Sequence, residues 1–235
     1  MGSVMRRAIV SAIIVLSLVP FRGRGQVIIS LLLGDKLNSG QVEFGLDGGA
    51  TIISQSGSGG GTRNTFNLGF YFDIKMKNPW MLHTGVIVKS TMGGGEIPVY
   101  SLGDAQLDGL FANGHVERTV NCFNVPVLMK YNFKNNFFLE AGPMLGLKYG
   151  ATDKFITTVN GDELTYEVDV NDKFRTFDAG LMGGVGYRLM GGNGMNLGVR
   201  YYYGLLNVSK ETTEIFNRCW YLTVGIPIGA GKKVD

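Results

Sequence analysis

Ionisable side chains recur at alternate positions in several segments of the chain, and these residues are the first candidates for chemistry. The set holds five acids, six bases and one histidine: Glu43, Asp47, Asp73, Lys75, His83, Lys89, Lys130, Glu140, Lys148, Asp178, Arg188 and Arg200. Residues at alternate positions share one face of a strand, and a face that carries charges of both signs favours a structural network of salt bridges. The reason is that an unpaired buried charge is costly. A selective ion path is the alternative that we keep for the same residues.

The two histidines are the only candidates for a catalytic base in a serine hydrolase. His83 shares its face with Glu43 and Asp73, whereas His115 falls in a long connection. The sequence places no serine beside either histidine, and such a site requires a nucleophile within hydrogen-bonding reach. We therefore predict no catalytic residues and no enzyme activity, and keep a lipid-modifying hydrolase as the more distant alternative.

Cys122 and Cys219 lack the spacing of metal ligands. They fall on the fourth and eighth predicted strands, which lie opposite each other in a ring of eight. Their Cα atoms are then expected to be farther apart than the limit of about 7 Å for a disulfide. The prediction is two free thiols, with neither a metal nor a cofactor.

The elements that must position these charges are strands, because polar and apolar residues alternate with a period of two. Eight segments show the pattern: 41–52, 65–76, 80–89, 122–133, 137–149, 177–189, 195–205 and 219–228. One face of each segment is uncharged and rich in aromatic residues, and the other mixes glycine with charges. Each is about as long as the 9–11 residues of a tilted strand that crosses a bilayer. We predict an all-β fold, an eight-stranded antiparallel up-and-down transmembrane barrel over residues 41–228 with the charges in its lumen.

The connections alternate in length, which gives the two ends of the barrel different characters. Residues 77–79, 134–136 and 191–194 form short turns, and the stretches 54–64, 90–118, 150–175 and 206–217 form long loops. Short periplasmic turns and long external loops are typical of outer-membrane barrels. Aromatic girdles are predicted near both ends: Trp80, Phe133, Phe137 and Tyr187 near the short turns, and Phe66, Phe123, Tyr149, Phe177, Tyr203 and Trp220 near the long loops.

The first 25 residues read as a Sec-type signal peptide. Arg6 and Arg7 precede an apolar run over residues 8–19, and small residues at Gly23 and Gly25 suit a cleavage site. Residues 26–40 are expected to be a short periplasmic segment and residues 229–235 a periplasmic tail. The small net charge of +3, without basic clusters beyond the N-terminus, argues against nucleic acid as a partner.

Five stretches carry a family resemblance: residues 29–38, 43–45, 124–131, 140–143 and 177–180. Their sequences, ISLLLGDKLN, EFG, NVPVLMKY, EAGP and FDAG, resemble those of the PorT-like outer-membrane β-barrel proteins of Bacteroidetes, over about residues 26–228. The resemblance implies an outer-membrane barrel, and some members of that family are tied to protein secretion or gliding. One departure is that the last strand closes at Ile228 instead of an aromatic residue.

The function predicted from these features is a closed scaffold or surface-interaction protein. It would be surrounded by outer-membrane lipid and present loops 90–118 and 150–175 to an external protein or ligand. A small passive channel is the alternative, and it requires unpaired charges or a gap in the lumen.

Overall fold

The structure is a computed structural model that describes residues 41–192 and 194–228. Its strands are β1 Val42–Ser56, β2 Arg63–Lys75, β3 Trp80–Ile97, β4 His115–Asn132, β5 Phe137–Val159, β6 Asp162–Asp169, β7 Phe177–Arg188, β8 Asn196–Gly204 and β9 Phe216–Pro227. Helix α1 covers Ala105–Phe111, a 3-10 helix covers Asn171–Lys173, and a tight turn covers Leu189–Gly192. No helix in the described ranges is long and apolar enough to cross a membrane. The predicted signal peptide, the segment 26–40 and the tail 229–235 lie outside the described residues.

Eight strands form a closed antiparallel ring. The order is β1-β2-β3-β4-β5-β7-β8-β9, and β9 pairs back onto β1. The ninth strand, β6, returns along the distal end of β5 and pairs with no other strand of the described chain. The predicted eight-stranded barrel is confirmed, with one additional strand outside the ring.

The predicted loops 90–118 and 150–175 are wrong in large part, because strands occupy much of both. β3 continues to Ile97, β4 begins at His115, and β5 continues to Val159 before β6 runs back. Asn160 and Gly161, with φ of 54° and 96°, form the tight turn between them, as the Asn-Gly pair favours. The exterior face of these strand segments is mostly polar. The alternation of apolar and polar residues that marks a lipid-facing strand is therefore weak in them. We call these extensions of β3, β4 and β5, together with β6, the projecting sheet.

The outer surface of the ring is apolar. Large hydrophobic side chains such as Leu68, Leu145 and Leu222 are half exposed there. Aromatic pairs sit toward both ends of this band, with Trp80 against Tyr131 near the short turns and Phe123 against Tyr149 near the long loops. This distribution suits a wall whose exterior faces lipid.

Candidate functional site

Arg200 on β8 lies at the centre of the barrel interior and binds groups from three other strands. Its Nε donates to Glu140 Oε1 at 2.5 Å, and its Nη1 donates to Asp47 Oδ2 at 2.5 Å. Its Nη2 lies 3.1 Å from Nε2 of His83, which belongs to β3 on the opposite wall. A Cβ at Gly184 would lie 2.7 Å from Arg200 Cγ, so glycine on β7 makes room for the side chain. These contacts carry polar side chains across the full width of the lumen.

His83 extends this arrangement to a second cation. Its Nδ1 lies 2.6 Å from Asp73 Oδ1, and Lys130 Nζ donates to Asp73 Oδ2 at 2.9 Å. Since a guanidinium group can only donate, Nε2 of His83 must accept from Arg200, and the ring proton must lie on Nδ1. Lys130 also lies over the ring of Phe138, 4.1 Å from its centroid. We call Asp47, Asp73, His83, Lys130, Glu140 and Arg200 the central network.

The predicted lumen residues nearest the short turns form a separate group. Arg188 pairs with Glu43, and Tyr71 donates a hydrogen bond of 3.3 Å to the same carboxylate. The Tyr71 ring stacks on His83 with centroids 5.5 Å apart, which connects this pair to the central network.

Asp178 and Lys148 lie nearer the long loops. Asp178 is buried and accepts from Asn217 Nδ2 at 2.8 Å, while Asn217 accepts from Gln55 Nε2 at 2.9 Å. Lys148 donates to the carbonyl of Asn171 in the 3-10 helix at 2.6 Å. The structure thus ties Lys148 to a loop and leaves it outside the central network.

Lys89 does not lie in the lumen, contrary to the prediction. A β-bulge in β3 shifts the register, so that Gly69 pairs with Ile87 but Leu68 pairs with Lys89. The extra residue reverses the alternation, and the Lys89 ammonium lies on the exterior, 4.0 Å from the centroid of the Phe66 ring. Lys75, also predicted to be inward, is exposed at the end of β2.

An apolar cluster fills the interior between the central network and the long-loop end. Its buried members come from the strands and from loops: Ile53, Ile87, Met92, Val120, Cys122, Leu128, Met144, Ala151, Val170, Phe174, Met182, Tyr202, Val208, Ile215, Cys219 and Tyr221. Val170 and Phe174 follow β6, and Val208 and Ile215 precede β9, so two loops fold into the barrel. Cys122 and Cys219 are both free thiols within this cluster.

The long connection between β3 and β4 packs against the inner face of the projecting sheet. Phe111 of α1 lies in a second buried cluster with Ile97, Val116 and Phe155. Asp104 caps the helix by accepting from the first backbone N–H groups. The loop therefore adds an ordered layer to the sheet.

A buried ion pair fixes the base of the projecting sheet. Arg118 on β4 donates to both oxygens of Asp153 on β5, at 2.8 and 2.6 Å, and lies over the ring of Phe174. Tyr100 donates to Asp153 at 2.9 Å. Burial and the adjacent Asp153 carboxylate raise the pKa of Tyr100 above its usual value. This site was not predicted from the sequence, although Val116, Arg118 and Val120 continue the inward face of β4.

Among the residues that the structure describes, no serine is a hydrogen-bond partner of either histidine. Both nitrogens of His83 are engaged, by Asp73 and Arg200, and His115 lies 3.6 Å from Glu96 near the start of β4. No group of three or more His, Cys, Asp or Glu residues within residues 41–192 and 194–228 is arranged to hold a metal ion.

Comparison with known proteins gives a family and several similar folds. No curated protein sequence matches the chain. Ail, the attachment invasion locus protein of Yersinia pestis, covers 80% of this chain with 99% of its own, at 12% identity and a TM-score of 0.41. Neisserial surface protein A covers 79% of this chain with 96% of its own, at 12% identity and a TM-score of 0.40. Residues 35–210 match the family described as outer membrane protein beta-barrel domain, so the chain is an outer-membrane β-barrel protein of that family.

Proposed function

We propose that the protein is a closed scaffold of the outer membrane that presents its projecting sheet to a partner outside the cell. The observation that carries this proposal is the filled interior. The central network spans the lumen between opposite walls, from Arg200 on β8 to His83 on β3. The apolar cluster lies above it and includes residues from two loops. An interior packed in this way favours a scaffold over a passive channel.

The order of the projecting sheet supports a role in binding. The bidentate pair of Arg118 and Asp153 is buried, and α1 packs on the inner face of the sheet through Phe111. A surface that is ordered before it meets a partner loses less conformational entropy on binding than a mobile loop does. The sheet thus offers a preformed surface at the long-loop end, which we assign to the outside of the cell.

The geometry around His83 argues against the hydrolase alternative. A general base needs a free lone pair directed at the nucleophile, and the Nε2 lone pair of His83 is directed at Arg200. We infer that His83 positions Asp73 and Arg200 within the central network.

We further propose that the family relationship extends to the PorT-like barrels of Bacteroidetes, as the sequences at residues 124–131 and 140–143 suggest. Residues 1–25 would then direct Sec-type export, and outer-membrane lipid would surround the apolar band. The half-exposed apolar side chains of the wall would contact the lipid directly, so lipid binding on that band requires no pocket.

The test is complementation of a strain that lacks the protein. A trimmed barrel, in which residues 156–165 are replaced by Asn-Gly, keeps Phe155 and Tyr166 as the residues that flank the new turn. Heat-modifiable gel mobility and surface labelling would show that the intact barrel and the trimmed barrel both fold and reach the outer membrane. We expect the intact barrel to restore the phenotype and the trimmed barrel to fail. Full restoration by the trimmed barrel would overturn the proposal.

A further inference from the structure

The strand β6 has one free edge. It pairs with β5 through eight successive residue pairs, from Thr152 with Asp169 to Val159 with Asp162, and with no other strand of the described chain. Seven of its eight residues are exposed. An exposed strand edge carries unpaired backbone donors and acceptors that can accept another strand.

The hydrogen bonds of the hairpin show which backbone groups point away from β5. The amide of Val170 donates to the carbonyl of Ala151 at 3.0 Å, so this pair is hydrogen-bonded. Hydrogen-bonded and non-hydrogen-bonded pairs alternate along an antiparallel ladder. The N–H and C=O groups of Glu163, Thr165 and Glu167 therefore point outward along the free edge.

The two faces of β6 differ in charge and in hydrophobicity. Glu163 and Glu167 share the exterior face with Lys154 of β5, which is the direct partner of Glu167. Leu164 and Tyr166 share the inner face, where they are 39% and 42% exposed. A strand added at this edge would place alternate side chains beside the acids and beside the apolar pair.

A second copy of the chain is a poor occupant of the edge. In an antiparallel pairing of two β6 edges centred on Thr165, Glu163 of one copy would face Glu167 of the other. Centred on Glu167, the same carboxylate would face itself. Directly opposed like charges destabilise a sheet, so the charge of the edge disfavours self-pairing and favours a basic partner.

We propose that the free edge of β6 binds an extended polypeptide segment in which basic and apolar residues alternate, and that it does so by adding a strand to the projecting sheet. Backbone hydrogen bonds would supply affinity, and the alternating side chains would supply selectivity. The basic residues would lie beside Glu163 and Glu167, and the apolar residues beside Leu164 and Tyr166. The proposal rests on the proposed function, because it names the partner that the projecting sheet receives.

The test uses the refolded full-length protein in detergent and a short fluorescent peptide in which lysine and valine alternate. Fluorescence anisotropy would measure binding, and isotope-edited infrared spectroscopy of the labelled peptide would report strand formation. We expect saturable binding with a strand signal. A peptide of alternating glutamate and valine, and a peptide with the same lysines and valines in two blocks, should bind weakly.

Thr165→Pro is the decisive variant, because it removes an edge N–H while the ladder to β5 does not use that group. The Kd for the lysine–valine peptide should rise about tenfold, as expected when one backbone hydrogen bond is lost and the bonds beside it are weakened. Thr165→Val is the matched control, since it keeps the N–H, and its Kd should stay near that of the wild type. Glu163→Gln combined with Glu167→Gln should weaken binding and reduce its salt dependence.

Several results would overturn this inference. Equal binding by Thr165→Pro and Thr165→Val, or equal binding of the blocked peptide, would reduce the interaction to general electrostatic attraction. An absence of binding would also contradict it, and the acids would then serve to protect the edge from aggregation. A concentration-dependent dimer that Thr165→Pro abolishes would contradict it as well, because the edge would then pair with a second copy of the chain.

The complementation strain separates this inference from the proposed function. If the trimmed barrel fails and Thr165→Pro restores the phenotype fully, the projecting sheet is functional and strand addition is wrong. If the trimmed barrel restores the phenotype, the proposed function itself is wrong.

Discussion

The two halves of the barrel interior differ in how they are closed. The half toward the short turns includes the central network, in which wall strands of the described chain supply the contacts and Arg200 joins Glu140 and Asp47 across the lumen. Near the long loops the wall supplies Met144 and Met182, and the loops add residues such as Phe174. The charged half depends on a few directional bonds, whereas the apolar half depends on packing between wall and loops.

This difference has an energetic consequence. Removal of one partner from a buried ionic network leaves the other charges without compensation. The loss of stability is then larger than the net stabilisation that the intact pair provides. Removal of a methionine side chain from a packed cluster costs the transfer of its atoms and the cavity that remains. Substitutions in the two halves should therefore differ in size and in how they can be rescued.

The largest effect is expected for Arg200→Met, with a loss of about 3–5 kcal/mol in the free energy of unfolding. Asp47 and Glu140 would remain buried without their cation. A guanidinium titration of the refolded protein, followed by tryptophan fluorescence, would measure the loss. Lys134→Met, at an exposed position in a short turn, should change the value by less than about 0.5 kcal/mol.

A second Arg200 variant sharpens this result. Asp47→Asn and Glu140→Gln in the Arg200→Met background should restore part of the lost stability, because both uncompensated charges are then removed. An Arg200→Met barrel that is as stable as the wild type would contradict the role of the charged half.

In the apolar half, Met144→Ala is expected to cost about 2–5 kcal/mol, since the Met144 side chain is almost fully buried in the cluster. The matched control is Met129→Ala, whose methionine is 40% exposed on the outer wall and leaves no closed cavity. The same titration would compare them. Equal losses for the two variants would show that the apolar half is not tightly packed.

Tyr100→Phe should cost about 1 kcal/mol, the value of a typical hydrogen bond, through the lost contact with Asp153. Because the pKa of Tyr100 is raised in the folded protein, its contribution is complete below the unfolded pKa of about 10. It is lost as the pH rises through the higher folded pKa. The difference in unfolding free energy between wild type and variant should be constant up to pH 10 and shrink above it, and a difference that grows with pH would contradict this placement of Tyr100.

The smallest effect is expected at Asp108, a partly exposed residue in the first turn of α1. Hydrogen bonds from the Ser101 hydroxyl and the Leu102 amide lower the pKa of Asp108. Its contribution is therefore present above the unfolded pKa of about 3.9 and is lost as the pH falls through the lower folded value. Hydrogen exchange at the Leu102 amide should be slower in the wild type than in Asp108→Asn at pH 6, with a smaller difference at pH 3. An equal difference in exchange rate at pH 6 and pH 3 would show that the ionised carboxylate of Asp108 does not protect the Leu102 amide.

How far the sequence predicts this molecule depends on the region. Where lipid borders the wall, an apolar exterior forces strict alternation, and segments such as 65–76 and 137–149 identify their strands. Beyond the membrane the exterior of the sheet is not in contact with lipid and need not be apolar. The ends of β3 and β5 and the whole of β6 were therefore not predicted. Lys89 was misplaced because one inserted residue reverses the alternation, and a single sequence does not show where a bulge occurs.

The site was predictable as a set of inward charges but not as a set of contacts. Period-two alternation placed His83 and Arg200 on inward faces, yet it contains no information on which residues meet across the lumen. The contact of Arg200 with His83 depends on ring closure as well as on strand register, whereas that of Arg118 with Asp153 depends on the register of the neighbouring strands β4 and β5. The pairing of β9 with β1 joins strands far apart in the sequence and closes the ring, which brings the opposite walls that carry Arg200 and His83 to face each other.

The measurement that tests the closed barrel most directly is the single-channel conductance of the refolded protein in a planar bilayer. Insertion would be verified by heat-modifiable gel mobility of the same preparation. The central network and the apolar cluster predict a current that stays at the baseline of the bare membrane. Steady ohmic steps above that baseline would contradict the closed scaffold and favour a passive channel.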